Sequence, residues 1–417
     1  VALHARAFRI ATAQAPGDLP EAMTTPRDEP TRIDAPMRRL PLVRAARPGD
    51  GSARDAAATH AHAPGARRSL DAQGALQPRP AWFAAVPERL EDAHGRPITY
   101  LRVSITDRCD LACVYCMPPD GEHDHARRAE QLDLDELARL LELFARSGVR
   151  RVRLTGGEPL VRRDVVPLVA RLRARHPTLA LAMTTNGTRL AALAAPLREA
   201  GLDAVNVSLD ALDPALFHAI TRGGDVTEVI AGICAAQDAG LAVKLNTVLL
   251  GGVNDAEIPG LVDFAWRLGA TPRFIELMPL GEGARLPQAR FVTAAQALAP
   301  IAHRLRDDVH AGESAHGPAR YRLAADGSER RVGVITALSD VFCNACNRVR
   351  LTARGALRAC LASTDGVPLG DLLRAGASDL DLAWHVHAAL GSKAAGHGFL
   401  DATRDAHTRV GMSLVGG

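Results

Sequence analysis

The chain has 417 residues, 47% of them hydrophobic, a net charge of +3 and no apolar run near the ~18 residues of a membrane helix, so a globular protein of roughly two to three domains without a membrane span is expected. Residues 1–85 hold 12 arginines against 8 acids, which leaves the remainder at about minus one and without the basic footprint of a nucleic-acid binder. Six of the seven cysteines fall in two tight groups, which argues for metal rather than a secreted disulfide framework; with no secretory leader among the first residues, the cytoplasm is the expected location.

Residues 1–85 are rich in proline, alanine and arginine, show no sustained period of two or of 3.6, and are expected to be a disordered extension. From residue 99 strand-like and helix-like segments alternate, with strands at 100–106, 149–155, 179–185, 204–209, 242–249 and 272–277. Between them lie amphipathic helices, such as the one carrying Leu137, Leu140, Leu141 and Phe144 behind an Asp133-x-x-Glu136 capping box. Six βα units predict a parallel sheet with right-handed crossovers.

Alternate strand positions sort by polarity. Arg102, Ser104 and Thr106 oppose Leu101, Val103 and Ile105; Arg151, Arg153 and Thr155 oppose Val152 and Leu154; Asn206 and Ser208, then Lys244 and Asn246, continue the polar side. A doubly wound sheet is apolar on both faces and an eight-stranded barrel fills its interior with branched apolar side chains. The pattern instead predicts an incomplete barrel with a wide cationic lumen, whose arginines need an anion. In the sixth strand Arg273 has the opposite parity to Glu276 and Met278, so Arg273, like Arg151, reads equally well as a surface charge. Lys244 stands apart as one of only two lysines, placed mid-strand on the polar face.

Cys109, Cys113 and Cys116 form a C-x3-C-x2-C loop directly after the first strand. Three thiolates on one loop can hold three irons of a 4Fe-4S cube and leave the fourth iron open; a zinc knuckle short of one ligand is the competing reading. Cys343, Cys346 and Cys360, spaced C-x2-C-x13-C, make a second triad, for which zinc with a histidine from elsewhere is a fairer rival. Cys234 lies in an apolar helical stretch and reads as a core residue.

The first loop, with Tyr115 before its last cysteine, resembles the radical SAM superfamily, as does Gly156-Gly157-Glu158-Pro159 after the second strand. Cys346-Asn347-Arg348-Val349-Arg350-Leu351-Thr352 resembles the auxiliary-cluster motif of the MoaA family, the GTP-cyclising radical SAM enzymes of molybdenum-cofactor synthesis, and the likeness runs from residue 99 to the final Gly416-Gly417. The resemblance implies an α/β fold, an incomplete (β/α)6 radical SAM barrel over residues 86–285, and a C-terminal auxiliary-cluster and GTP-binding region over residues 286–417 with a Gly-Gly tail. It implies a 4Fe-4S cluster on each triad, S-adenosyl-L-methionine (SAM) on Tyr115, Gly157, Ser208 and Met278, and GTP on Arg102, Arg153, Thr184, Lys244, Arg348 and Arg350. Gly416 and Gly417 are expected to reach the active site, joining Arg102, Lys244, Arg348 and Arg350 in its machinery.

The chemistry so implied is a lyase reaction. A 5'-deoxyadenosyl radical takes the ribose C3' hydrogen of GTP, the C3' radical adds to guanine C8, and one electron, implied to come from the second cluster that holds the purine, with one proton completes 3',8-cyclo-7,8-dihydro-GTP. Implied partners are an electron donor such as flavodoxin or ferredoxin, a downstream cyclic pyranopterin monophosphate synthase, and a second copy of the chain as a homodimer; neither membrane nor nucleic acid is expected. Two other readings compete. A radical SAM peptide-modifying enzyme with an auxiliary cluster would carry more C-terminal cysteines and lack the Arg348-x-Arg350 pair, and a zinc-bearing nucleic-acid binder would use the arginine-rich extension.

Overall fold

The alternation that begins near residue 100 forms β1 (Tyr100–Ser104), α1 (Leu134–Arg146), β2 (Arg151–Thr155), α2 (Val165–Arg175), β3 (Ala180–Thr185), α3 (Leu190–Glu199), β4 (Ala204–Ser208), α4 (Pro214–Thr221), α5 (Val226–Asp238), β5 (Ala242–Leu249), α6 (Ile258–Arg267) and β6 (Thr271–Glu276). After it come α7 (Ala294–Leu298), β7 (Leu305–His310), β8 (Arg320–Ala324), β9 (Arg331–Ile335), β10 (Arg348–Leu351), β11 (Ala356–Arg358), β12 (Val367–Pro368), α8 (Leu369–Arg374), α9 (Asp379–Gly391) and the short α10 (Met412–Val415). The computed structural model describes residues 78–121, 125–310, 317–363, 366–399 and 411–415. Residues 1–77 of the expected extension lie outside them, as do Gly416 and Gly417. At the end of that extension Phe83 is buried, its ring 5.4 Å from that of Trp384 on α9.

Helix α1 illustrates how sequence becomes position. Asp133 accepts from Glu136 N while the Glu136 side chain accepts from Asp133 N, which satisfies two orphan donors of the first turn. Leu137, Leu140, Leu141 and Phe144 then fall on one face and are buried against the sheet. Full burial of each contributes about 1.5–3 kcal/mol. The outward-facing Leu101, Val103, Val152, Leu154, Val205, Val207 and Leu245 belong to the same core.

The sheet runs β12-β11-β10-β1-β2-β3-β4-β5-β6-β9-β8-β7 and is not closed. The six expected strands are parallel, and two more extend the parallel set: β10 beside β1 and β9 beside β6. Both come from the C-terminal region, which therefore lengthens the barrel wall at both edges. Antiparallel β11 and β12, and β8 and β7, finish the two sides.

Register decides what meets in the lumen. Arg102 is opposite Arg350 on one side and Arg153 on the other, so three arginines occupy one rung, and Tyr100 is opposite Arg348 and Arg151. Thr184, Asn206, Lys244 and Thr271 form another rung, and Asn246, Arg273 and Gly333 a third. The parity conflict in the sixth strand is thereby resolved: Arg273 and Ile275 line the cavity, and Glu276 faces away. Glu276 is buried where it accepts from Ala294 N at 3.0 Å, Leu338 N at 2.8 Å and Ser339 N at 3.0 Å, so it pins the segment after β9. Gly333 makes room for Arg273, since a Cβ there would stand 2.8 Å from Arg273 Cγ. Among the described residues no helix is long and apolar enough to cross a membrane.

Candidate active site

The first cysteine loop is held at the C-terminal end of β1 by the end of α4 on one side: Ala112 N donates to Thr221 O at 3.1 Å and Val114 N to Ile220 O at 2.9 Å, and Arg222 Nη1 donates to Ala112 O at 3.1 Å and Met117 O at 2.8 Å. On the other side it rests on the turn after β2. Gly157 N donates to Thr106 O at 2.9 Å and Glu158 N to Arg108 O at 2.7 Å. A Cβ at Gly156 would stand 2.3 Å from Thr106 O, and one at Gly157 would stand 2.4 Å from Arg108 O, so the two glycines are required by close approach of the loop backbone. Glu158, fully buried, ties that turn to the end of β3 by accepting from Leu160 N at 2.9 Å, Thr185 Oγ1 at 2.8 Å and Asn186 N at 2.6 Å. Burial pushes its carboxyl up to about 7 against those bonds.

All three thiols of this loop line the cavity. Burial pushes the Cys109 thiol up to about 12 and that of Cys113 well above its ordinary value, a state that a cation at the thiols would reverse. Tyr115, Gly157, Ser208 and Met278, the expected SAM contacts, line the same cavity. Tyr115 donates its hydroxyl to Asp210 Oδ2 at 2.6 Å, which fixes the ring beside the cysteines. Burial raises the Asp210 carboxyl to about 6.

Of the expected GTP contacts, Arg102, Arg153, Thr184, Arg348 and Arg350 line the cavity. Lys244 shares their sheet face but is not among the lining residues; its ammonium sits 5.8 Å from the Tyr321 ring centre. Burial, then the charge of Arg350, holds the Arg102 guanidinium well below its ordinary value, and burial with Arg348 brings Arg350 to about 10. Arg273 is 6% exposed, and its Nε and Nη2 have no hydrogen-bond partner. Two orphaned donors on a buried cation that lines a cavity call for an anionic ligand. Tyr100 accepts from Arg153 Nε; burial would raise its phenol, but Arg153 and Arg102 bring it down to about 8.

The second triad lies at the other end of the lumen. Cys343 and Cys346 precede β10, which is parallel to β1, and Cys360 follows antiparallel β11, so all three sit by the N-terminal end of β1. Arg96, anchored on Asp92 by a buried 2.7 Å pair, donates to Cys343 O at 2.8 Å. Arg348 stacks on Phe342, its Cζ 4.7 Å from the ring centre, and its Nη2 is 3.8 Å from Cys346 Sγ. Lys393 Nζ is 3.6 Å from the same sulfur. Burial opposes ionisation of Cys346, but the charges of Arg348 and Lys393 bring its thiol down to about 7.

One cavity of about 300 Å3 is lined by all six cysteines and by the arginines between them. Among the described residues no three His, Cys, Asp or Glu side chains are drawn together as ligands of a single metal ion. A cluster with one iron per thiolate asks for wider spacing than one tetrahedral ion does, and two three-thiol sets at a cationic cavity suit that chemistry. Sequence reasoning missed Tyr100, Arg96, Lys393 and Asp210. Tyr100 was within reach, because it continues the Arg102, Ser104 alternation one step back; the others act through contacts between residues far apart in the chain.

Comparison with known proteins bears on the same residues. The chain matches the Radical SAM superfamily over residues 103–265 and the Molybdenum Cofactor Synthesis C family over residues 270–399. It is similar to the GTP 3',8-cyclase of Caulobacter vibrioides, 47% identical over 335 residues covering 79% of this chain and 94% of that one. It is also similar to that of Heliobacterium modesticaldum, 46% identical over 78% of this chain and 99% of that one. Among solved structures, Streptococcus suis SuiB bound to precursor peptide SuiA overlays with a TM-score of 0.53 at 15% identity, over 72% of this chain and 68% of that one, a likeness of fold alone.

Proposed function

The chain belongs to the GTP 3',8-cyclase family within the radical SAM superfamily, and from that premise we infer how its residues divide the work. It is a GTP 3',8-cyclase, acting at the first step of molybdenum-cofactor biosynthesis through radical SAM chemistry, and it uses a 4Fe-4S cluster and SAM. When bound, those two supply a hydrogen-abstracting radical; the protein's own groups bind, orient and exclude water.

In this reading Cys109, Cys113 and Cys116 hold the SAM-binding cluster, while Tyr115, Gly157, Ser208 and Met278 hold SAM over it. Cys343, Cys346 and Cys360 hold a second 4Fe-4S cluster at the opposite end, where the guanine docks. Arg102, Arg153, Thr184, Lys244, Arg348 and Arg350 hold GTP between the two, and Arg273 joins them. We divide the chain into a partial barrel over residues 86–285 and an auxiliary-cluster region over 286–417; the order of the two matched families, 103–265 and then 270–399, supports two parts but not that boundary. Met412 lines the cavity, which supports assigning the Gly416-Gly417 tail to the site. Cleavage of SAM consumes an electron, so a donor such as flavodoxin or ferredoxin is required, and the cyclised nucleotide passes to a cyclic pyranopterin monophosphate synthase.

The observation that carries this reading is the shared cavity: two cysteine triads face one lumen whose wall carries a rung of three arginines. Anaerobic protein given SAM, reductant and GTP is expected to form 5'-deoxyadenosine and 3',8-cyclo-7,8-dihydro-GTP together, as measured by mass spectrometry. SAM cleavage that is indifferent to GTP and yields no GTP-derived product would overturn it.

A further inference from the structure

Lys393 is one of two lysines in a chain that uses arginine everywhere else, and none of the roles above requires it. It follows α9, is 4% exposed, and its Nζ donates to Arg348 O at 2.6 Å. Among the described residues no carboxylate pairs with it. A buried ammonium needs an anion, and a neutral carbonyl is not one. Asp92, whose charge also reaches Lys393, is paired with Arg96, and the side-chain atom that Lys393 Nζ contacts is Cys346 Sγ at 3.6 Å, a sulfur that is anionic whenever it ligates iron. The same stretch of chain is fastened to the cysteine turn, because Arg96 donates to Cys343 O at 2.8 Å and to Ala394 O and Ala395 O, each at 2.9 Å.

We propose that Lys393 is a positioning residue of the second cluster: its ammonium joins the Cys346 thiolate to the Arg348 backbone and makes that cluster easier to reduce than a neutral residue would. The proposal rests on the reading that the second triad holds a 4Fe-4S cluster. Hydrogen bonds to ligand sulfur and nearby positive charge both raise a cluster's potential, because the reduced form carries one more negative charge. A compact ammonium can serve a carbonyl and a sulfur at once from within a buried site, where a planar guanidinium needs more room. Through the Arg348 carbonyl Lys393 also tethers the first residue of β10.

The test is an EPR-monitored redox titration with iron counting on anaerobically reconstituted full-length wild type, Lys393→Gln and Lys393→Arg. Cys343→Ala, which retains the first cluster only, assigns the two signals. Lys393→Gln keeps a donor for the Arg348 carbonyl without the charge. It is expected to move the midpoint of the second cluster to more negative potential and leave the first unmoved, while Lys393→Arg stays closer to wild type; loss of the second cluster in Lys393→Gln but not in Lys393→Arg supports the same role. A wild-type midpoint in Lys393→Gln, equal shifts in both clusters, or equal effects of Gln and Arg would overturn it. Wild-type protein lacking a second cluster overturns the underlying reading instead, and the iron count reveals that before any variant is made.

Discussion

Arg350, Arg102 and Arg153 stand on neighbouring strands ~4.8 Å apart, close enough that each destabilises the charge of the next. Such a rung is tolerable only while something negative shares the lumen, and in the free protein Tyr100 is the group best placed to do so. Its phenol ionises at about 8 rather than 10.0, so the unfolded chain holds that proton longer, and the GTP-free fold gains stability as pH rises from about 8 to 10. In the proposed assignment of GTP to these arginines, the phenolate competes with the triphosphate for them. GTP affinity is therefore expected to fall across this window, and Tyr100→Phe to flatten the profile; equilibrium binding from about pH 7 to 10 decides it, and an identical slope in the variant would refute the role. Arg348 and Arg350 act more directly. Each charge-assisted bond lost is about 1.5–3 kcal/mol, so Arg348→Ala and Arg350→Ala are each expected to lower kcat/KM for GTP by roughly 10- to 150-fold with iron content unchanged.

Turns, more than strands, fix the first cysteine loop, and that has a mutational consequence. Gly157→Ala would drive a Cβ to 2.4 Å from Arg108 O, in backbone that cannot yield without moving the Cys109 loop. The expected cost is about 1–3 kcal/mol of overpacking, read as a lower melting temperature of the cluster-free protein and reduced iron uptake by the first site; normal values in both would mean that the loop can shift. The glycine pair was legible in the sequence, but its reason was not: close backbone approach from the preceding loop becomes visible only in three dimensions. The six strands were likewise legible because each is short and followed by a helix signal, and four of them, β1, β2, β4 and β5, alternate in polarity. β9 and β10 were not, since Arg331–Ile335 has an interior glycine that weakens a strand pattern and Arg348–Leu351 lies inside a cysteine motif. In β6 the parity was misjudged because Met278 lies beyond the end of the strand, where alternation no longer applies, and because Glu276 makes its bonds on the outer face.

Viewed along β1, the molecule separates two cysteine triads by one strand length. The first triad follows the C-terminal end of β1 and the second lies by its N-terminal end, joined there by Thr99 N donating to Asn347 O at 3.1 Å. Five strand residues at ~3.4 Å each put roughly 17 Å of lumen between the ends, a span that a nucleoside triphosphate lying along the arginine rung can bridge. The parallel pairings of β10 with β1 and β9 with β6 hold this distance, because the C-terminal region forms part of the same sheet as the barrel. The two ends are thus mechanically coupled yet chemically separable. Loss of one thiolate at the far end is expected to leave the Cys109 loop, the Gly156-Gly157 turn and Glu158 in place, since the hydrogen bonds described for them run to α4, the segment after β1 and the end of β3 and not to Cys343. Cys343→Ala is therefore expected to halve the iron of the reconstituted protein, from about eight atoms to about four, and to retain SAM cleavage in the presence of reductant. It should form little or no cyclised nucleotide if, as proposed, the second cluster anchors the base. Iron assay, 5'-deoxyadenosine and product are measured on the same sample. Retained cyclisation at wild-type rate would show that the second triad is structural, and loss of SAM cleavage together with product would show that the two ends are not separable after all.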